Sequence, residues 1–202
     1  AKSLGIICFS SVFDEFSLKF LEKLNIPAYK IASLECLHFP LIEKVIKTGK
    51  PIIISTGTLN NKEIDELVNF FKKKKFKKYV LLHCVSQYPA ENKNINLSFI
   101  QTLRNKYKIL TGFSDHTKSL AAPIAATAFK ACIIEKHFKL EKKDKTLDSE
   151  FSIDKNQMSI LRTEIYNAWL SIGSKNKKLS KDEMTVRKFR RSIYASKIIF
   201  PK

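Results

Sequence analysis

Glycine and proline are scarce in this sequence, with 5 glycines and 6 prolines among 202 residues. Disordered and fibrous chains are usually rich in one or both of these residues, so the scarcity argues against both classes. Hydrophobic residues make up 44% of the chain, which is enough to build one full core. The composition therefore predicts a globular protein.

Long apolar runs are absent as well. The longest ones, such as residues 52–54 and 120–126, are far shorter than the roughly 20 residues that a membrane-spanning helix needs. Residues 1–5 carry neither an initiator methionine nor the apolar core of a signal peptide, as in a trimmed or partial chain. We therefore expect a cytoplasmic protein without a membrane partner.

The cysteines form no recognisable cluster. Cys8, Cys36, Cys84 and Cys132 are widely separated and include no Cys-x-x-Cys pair. Zinc sites and compact disulfide frameworks both need closely spaced cysteines, so neither is predicted. Reduced thiols in a cytosolic protein are the expected state.

Acidic residues are few, since 19 aspartates and glutamates are outnumbered by 37 lysines and arginines, which gives a formal net charge of +18. Such a balance is typical of nucleic-acid-binding proteins, and a basic binding module is one alternative. The lysines, however, are spread over the whole chain and do not interleave with aromatic residues along one face. The densest run, at residues 72–78, ends a helix-like segment, where cations suit the helix dipole. We therefore favour a protein without a nucleic-acid partner.

The sequence does contain a regular alternation of two kinds of segment. Short runs rich in apolar or β-branched residues recur at 5–9, 28–32, 51–54, 79–82, 109–113 and 132–138. Amphipathic segments with helical spacing separate them. Runs without in-out alternation are typical of strands buried on both faces, so the pattern predicts an α/β protein with a parallel sheet.

Two architectures share this pattern. An open doubly wound sheet usually carries a glycine-rich phosphate loop after its first strand, but residues 8–14 contain no glycine. The alternative is a (β/α)8 TIM barrel, which needs eight units and typically about 250 residues. Only six units are visible in this sequence, so we expect an incomplete barrel.

The end of the chain has a different character. Asp154 is expected to cap a helix over 154–172 whose apolar residues share one face, and Gly173 is a natural stop. Residues 174–191 are polar and basic, as in a linker, and residues 192–200 become strand-like. We therefore predict a catalytic barrel domain over 1–173, a linker over 174–191 and the start of a further domain over 192–202.

Polar residues gather where the predicted strands end. In parallel α/β proteins these ends meet at one mouth, where reacting groups usually lie. Hydroxyls that converge there with a lysine suit a phosphate or carboxylate group. The residues of this kind are Ser10, Ser11, Lys30, Ser33, Ser55, Thr56, Ser86, Ser114 and Thr117.

His116 and His137 lie at the ends of the fifth and sixth predicted strands. Two neutral imidazoles at neighbouring strand ends, with open positions for water and substrate oxygen, suit a divalent transition metal. The separation of the two histidines in the sequence, taken alone, favours the alternative that both have only a structural role at the strand ends. Asp115 and Glu135 are candidates to orient the imidazoles, and strand alternation places Lys136 outward, toward solvent.

These strand-end motifs resemble those of the nonulosonic acid synthases, the family of sialic, legionaminic and pseudaminic acid synthases. The matching segments occur in family order and cover nearly the whole chain, so the combination is highly specific. They are Phe-Ser-Ser-Val-Phe-Asp at 9–14, Pro-Ala-Tyr-Lys-Ile-Ala-Ser at 27–33, Pro-Ile-Ile-Ile-Ser-Thr-Gly at 51–57, Leu-His-Cys at 82–84, Tyr-Pro at 88–89, Gly-Phe-Ser-Asp-His-Thr at 112–117 and Glu-Lys-His-Phe at 135–138.

The resemblance implies a TIM barrel of which this chain carries strands three to eight. It also implies that residues 192–202 begin a small antifreeze-like domain and that the full-length enzyme is a homodimer. Two preceding strand–helix units would supply a glutamate and a lysine–glutamine pair to the site. The small domain would lend an arginine from a partner subunit, so the chain alone is expected to be inactive.

The resemblance further implies roles for individual residues. His116 and His137 would bind a divalent metal, manganese in the first place with magnesium or cobalt as alternatives, and would act in catalysis together with Lys30. Lys30 and five serine hydroxyls would hold phosphoenolpyruvate, and three further residues would face the sugar. The serines are Ser11, Ser33, Ser55, Ser86 and Ser114, and the sugar-facing residues are Glu35, Tyr88 and Asp148.

The implied reaction is a metal-dependent condensation of phosphoenolpyruvate with an N-acetylated hexose and water, which releases phosphate and needs no organic cofactor. The Asp-Ser-Glu-Phe-Ser segment at 148–152 resembles the pseudaminic type, whereas Glu35, Cys36 and His83 resemble the sialic and legionaminic types. We expect pseudaminic acid as the product, with sialic or legionaminic acid as alternatives. A different barrel lyase that handles phosphoenolpyruvate or an aldehyde is a further alternative.

Overall fold

The computed structural model describes residues 1–201 of the chain. The strands are β1 (Ser10–Ser11), β2 (Tyr29–Ile31), β3 (Ile52–Ser55), β4 (Tyr79–Cys84), β5 (Thr111–Asp115) and β6 (Ile134–Lys136). The helices are α1 (Glu15–Lys23), α2 (Phe39–Lys47), α3 (Asn61–Lys73), α4 (Ser98–Tyr107), α5 (Ala121–Ala128), α6 (Lys155–Ile172) and α7 (Lys181–Val186). Short 3-10 turns lie at Lys2–Leu4, Asn92–Asn94 and Arg187–Phe189.

All of these strands belong to one parallel sheet whose spatial order follows the chain, from β1 to β6. Each connection therefore moves one strand along the sheet, and right-handed connections of this kind place the intervening helices on the same side. A doubly wound sheet would instead reverse its order at a switch point. The predicted α/β class with a parallel sheet is confirmed.

The sheet is strongly curved. Lys30 lies on β2 and Glu135 on β6, and these strands would be about 19 Å apart in a flat sheet, where neighbours are spaced by about 4.8 Å. The Lys30 Nζ and Glu135 Oε1 atoms are nevertheless 3.5 Å apart. Because the two side chains are too short to span a flat sheet, the strands must form a half-barrel, consistent with a partial TIM barrel. Which strands of a complete barrel they represent stays a prediction.

The first strand differs from its prediction, whereas the other five overlap theirs. Residues 5–9 form no strand, Ile6 and Ile7 are exposed, and pairing begins only at Ser10, opposite Tyr29. In the described sheet β1 has a neighbour on one side only. An apolar run without a second neighbour gains little from extending, so composition alone misplaced this strand.

The main core lies between the sheet and the helices that follow its first strands. Ile52 and Ile54 of β3 belong to the same buried cluster as Ile42 of α2 and Leu67 of α3. Fully burying a side chain of this kind contributes about 1.5–3 kcal/mol. Asn60 caps α3, because its side chain accepts hydrogen bonds from the first turn of the helix.

Gly112 on β5 has no room for a side chain. A Cβ atom there would lie 2.5 Å from Leu82 Cδ2 and 2.6 Å from the backbone oxygen of Ile133. Because a backbone atom cannot move away cheaply, we expect Gly112→Ala to lower the free energy of unfolding by about 3 kcal/mol, the upper end for overpacking. Urea unfolding measures the change. Thr102→Ala on the exposed side of α4 is the control, and an equal midpoint for the two variants would refute the steric argument.

The last long helix, α6, is only partly packed. Asp154 caps it as predicted, since its carboxylate accepts hydrogen bonds from the backbone N–H groups of Asn156 and Gln157 at 2.9 and 3.0 Å. Leu161 is buried, but Trp169 on the same predicted face is 59% exposed. The helix is therefore confirmed, and only part of its apolar face is buried.

The chain divides into two compact units, Ala1–Ser171 and a second unit that begins at Ile172. In the second unit, Ser180 caps α7 by accepting a hydrogen bond from the backbone N–H of Glu183. No strand occurs between residues 192 and 201, so the strand-like run at 192–200 is not a strand here. The predicted linker and further domain stay predictions. Among the described helices, none combines the length and the apolar character needed to cross a membrane.

Candidate functional site

A cavity of about 390 Å³ opens at the carboxyl ends of the strands. Eight of the predicted site residues line it, namely Ser11, Lys30, Ser33, Ser55, Tyr88, Ser114, His116 and His137. Ala32, Cys84, Glu135 and Lys136 complete the wall. Glu35, Ser86 and Asp148 are not part of the wall itself. The topology thus gathers residues from all six described strands and the β4–α4 loop into one site.

Lys30 is the buried cation of this cavity, with 8% of the residue exposed. Its Nζ donates a hydrogen bond to Ser55 Oγ at 2.7 Å and lies 3.5 Å from Glu135 Oε1. Ser114 Oγ donates to the same glutamate oxygen at 2.6 Å. Side chains from β2, β3, β5 and β6 therefore form one polar network on the cavity wall.

Ser33 and Ser86 meet beside this network. The Ser33 Oγ accepts a hydrogen bond from the backbone N–H of Gly57 at 3.0 Å. A Cβ atom at Gly57 would lie 2.4 Å from Ser86 Oγ, so the glycine lets both serines approach closely. Ser86 Oγ is buried and has no hydrogen-bond partner in the described part of the chain. A buried hydroxyl without a partner is costly, and a polar ligand in the cavity would relieve that cost.

The two imidazoles face each other with ring centroids 5.3 Å apart. His116 Nδ1 lies 2.9 Å from the carbonyl oxygen of Val85, so this nitrogen carries the proton and donates it. The other nitrogen of the ring, Nε2, is then left with a free lone pair. His137 Nδ1 lies 3.5 Å from Asp148 Oδ2, which brings Asp148 to the site through the histidine.

Aromatic rings surround the imidazoles. Tyr88 lies 4.2 Å from His116 between ring centroids, and Phe151 lies 4.8 Å from His137. Phe151 is buried, whereas Tyr88 is exposed. The neighbouring groups partly desolvate the phenol of Tyr88, which raises its pKa above the ordinary value, so the phenol is neutral near pH 7. Residue-by-residue reasoning missed Phe151 as a site residue, although it belongs to the Asp-Ser-Glu-Phe-Ser segment that the sequence singles out.

Cys84 is a second residue that the sequence did not place in the site. Its Sγ lies 3.8 Å from His116 Nδ1 and is buried. Burial raises the pKa of the Cys84 thiol, but His116, Ser33 and Ser114 together hold it below the ordinary value. The sequence feature that could have identified Cys84 as a site residue is its position in the His-Cys pair at the end of the fourth strand.

Three expectations about charged neighbours need correction. Lys136 does not reach solvent, because its buried ammonium pairs with Asp115 Oδ2 at 2.7 Å. Glu135 contacts Lys30 and Ser114 and makes no hydrogen bond to either imidazole. Asp115 likewise accepts hydrogen bonds from Thr117 and Lys136 and from neither histidine. Strand alternation fixes the direction of a side chain, whereas the neighbouring strand decides what that side chain meets.

The residues present fit a divalent metal with two protein ligands. His116 uses Nδ1 to bond the Val85 carbonyl, which leaves Nε2 to face a ligand, and His137 lies opposite it. Within residues 1–201 no group of three or more histidine, cysteine, aspartate or glutamate side chains is arranged around a common metal position. Oxygen ligands beside the two imidazoles would suit manganese or magnesium.

The sequence pattern of the NeuB family matches residues 1–177. The pseudaminic acid synthase of Campylobacter jejuni is 36% identical over 199 residues, which cover 98% of this chain and 58% of that protein. The N,N'-diacetyllegionaminic acid synthase of C. jejuni is 37% identical over 202 residues, with coverages of 98% and 60%. The human N-acetylneuraminate-9-phosphate synthase is 30% identical over 185 residues, with coverages of 91% and 51%.

Solved structures show the same likeness. The N-acetylneuraminic acid (sialic acid) synthetase of Leptospira borgpetersenii, crystallised in complex with citrate, superposes with a TM-score of 0.86 at 34% identity. The match covers 94% of this chain and 66% of that chain. This chain spans between 51% and 60% of the length of the three relatives named above.

Proposed function

The chain belongs to the NeuB family, and from this premise we propose that it forms much of the active site of a nonulosonic acid synthase. The reaction would condense phosphoenolpyruvate with an open-chain N-acetylated hexose and water, giving a nonulosonic acid and phosphate. The observation that carries the proposal is a single cavity that joins a buried lysine, several serine hydroxyls and two imidazoles. The lysine and the hydroxyls suit an anionic donor, and the imidazoles suit a metal that polarises a carbonyl group.

We assign the donor side of the cavity to Lys30 and the serines around it. A buried ammonium is stable only with partners, and here Ser55 and Glu135 supply them. The phosphate and carboxylate of phosphoenolpyruvate would take the place of Glu135 beside Lys30 and Ser114. Ser11, Ser33 and Ser86 would donate further hydrogen bonds, which are strong when the acceptor is charged. The buried Ser86 hydroxyl supports this role because it lacks a partner in the described residues.

We assign the metal side to His116 and His137, with manganese in the first place and magnesium or cobalt as alternatives. When bound, such a cation supplies Lewis-acid chemistry, which polarises a carbonyl oxygen. The chain contributes two oriented imidazoles. His116 is held by the Val85 carbonyl and His137 by Asp148, and contacts of this kind fix the orientation of a ligand ring.

We assign the acceptor side to Glu35, Tyr88 and Asp148, of which Tyr88 and Asp148 lie beside the imidazoles. Glu35 Oε2 is buried without a hydrogen-bond partner among residues 1–201, and the Tyr88 ring is tilted by 41° against that of His116. Phe151 packs on His137, so the segment 148–152 lies next to the proposed metal site. This segment carries the pseudaminic pattern, and its position supports pseudaminic acid as the product. Legionaminic and sialic acid are the alternatives.

The test uses two chimeras, in which residues 1–177 replace the matched segment of the C. jejuni pseudaminic or legionaminic acid synthase. Each chimera is assayed for phosphate release from phosphoenolpyruvate with the acceptor sugars of the pseudaminic, legionaminic and sialic acid reactions, with and without Mn²⁺. We expect metal-dependent release in both chimeras and a preference for the pseudaminic-type acceptor. Folded chimeras that release no phosphate, beside active parent enzymes, would contradict the proposal.

Lys30→Met tests the donor side in the same chimeras. A hydrogen bond to a charged group contributes about 1.5–3 kcal/mol, so we expect kcat/KM for phosphoenolpyruvate to fall by about 10- to 100-fold. Lys106→Met is the matched control, because Lys106 forms a surface ion pair with Asp65. Equal losses in the two variants would show that Lys30 has no specific role in binding the donor.

A further inference from the structure

A buried ion pair lies next to the two imidazoles in the sequence. Asp115 and Lys136 are opposite each other in the register of β5 and β6. Lys136 Nζ lies 2.7 Å from Asp115 Oδ2, and the side chains are 2% and 0% exposed. Ser114, His116, Glu135, Lys136 and His137 line the cavity, whereas Asp115 does not. The charged ends of the pair contact each other and Thr117.

The pair also closes the last rung of the ladder between these strands. β5 ends at Asp115 and β6 at Lys136, so each histidine is the first residue beyond the paired region. Asp115 Oδ1 accepts a hydrogen bond from the Thr117 N–H at 2.9 Å, and Lys136 Nζ donates to the Thr117 carbonyl oxygen. His116 is therefore held on both sides, by Asp115 before it and by Thr117 after it.

A buried ion pair is weak support for stability in general. The desolvation of two charges offsets most of their attraction, and apolar replacements of similar volume are often neutral or stabilising. A requirement for specific geometry is a better explanation of a pair that occupies the rung next to two proposed metal ligands. The β5–β6 ladder ends before His116 and His137, whose carbonyl oxygens accept hydrogen bonds from the N–H groups of Ala90 and Ile153. Asp115 and Lys136 are therefore the last residues that pair β5 directly with β6.

We propose that Asp115 and Lys136 are a positioning pair that sets the separation of His116 and His137 and so tunes the affinity of the metal site. This inference rests on the proposed metal-binding role of the two histidines. The charged groups of the pair form hydrogen bonds with each other and with Thr117, and with neither imidazole. The pair acts by holding the ends of β5 and β6 in register.

The test is the double variant Asp115→Asn/Lys136→Met in the 202-residue chain. Removing both charges leaves no unpaired buried charge, so the chain should fold, which a urea unfolding curve checks. We expect Mn²⁺ affinity, measured from the EPR signal of free Mn²⁺, to fall by about 10- to 100-fold, as for the loss of groups that orient metal ligands. The visible spectrum of bound Co²⁺ should shift, because it reports ligand geometry. The control is Asp65→Asn/Lys106→Met, which removes a surface pair of the same 2.7 Å length.

The outcomes separate this proposal from the proposed function. A folded double variant with the Mn²⁺ affinity and Co²⁺ spectrum of the unchanged chain overturns the positioning role and leaves the metal site standing. An unchanged chain that binds neither ion overturns both. If the double variant does not fold, Asp115→Glu takes its place, since it keeps both charges and lengthens the acidic side chain. A shifted Co²⁺ spectrum in that variant supports the proposal, and an identical spectrum rejects it.

Discussion

Replacing His116 or His137 by alanine is expected to weaken Mn²⁺ binding by more than about 100-fold, because even the loss of a group that merely orients a ligand costs about 10- to 100-fold. Each substitution removes one of the two proposed protein ligands, and the described residues hold no cluster that could replace it. Phosphate release by the chimeras should disappear with the metal. EPR of free Mn²⁺ and a phosphate assay measure the two effects.

The matched control is His38→Ala. His38 is exposed, precedes α2 and makes no side-chain cap hydrogen bond, so its loss should change neither metal binding nor phosphate release. Near-normal, metal-dependent turnover by His116→Ala or His137→Ala would mean that the cavity does not bind its metal through these rings. In that case the structural role that spacing alone favours would be the better description of both histidines.

The second large effect concerns the 202-residue chain as a separate polypeptide, which we expect to release no phosphate even with saturating Mn²⁺ and sugar. In the described sheet β1 and β6 each have one neighbour, so backbone groups on both outer edges lack strand partners. Apolar side chains are also exposed on α1 and α6, including Phe16 at 81% and Trp169 at 59%. A half-barrel also surrounds a substrate on one side only, which leaves water in the site.

The measurement compares a monodisperse fraction of this polypeptide with the two chimeras in one phosphate assay. Size-exclusion chromatography should also show self-association of the polypeptide, since exposed apolar surface and open edges favour it. Turnover equal to that of the chimeras would show that the six strands alone make a complete site. The unpaired edges of the sheet would then not prevent catalysis.

The sequence alone was sufficient to predict the class of fold and the place of the candidate site at the carboxyl ends of the strands. Uninterrupted apolar runs separated by amphipathic segments indicate a buried parallel sheet, and a parallel sheet places all its carboxyl ends at one edge. Lys30, Ser55, Ser114, His116 and His137 follow from that rule, because it depends only on chain order and strand direction. The rule predicts that these residues share one site, but it does not predict the distances between them.

What each side chain touches was decided by the tertiary structure. The curl of the sheet brings Glu135 on β6 to Lys30 on β2, although four strand spacings separate them in the sheet. The register of β5 and β6 buries Lys136 against Asp115, where alternation by itself suggested solvent. Periodicity in one segment fixes the face on which a residue lies. The partner on that face is set by curvature and register, which depend on the packing of strands that are distant in sequence.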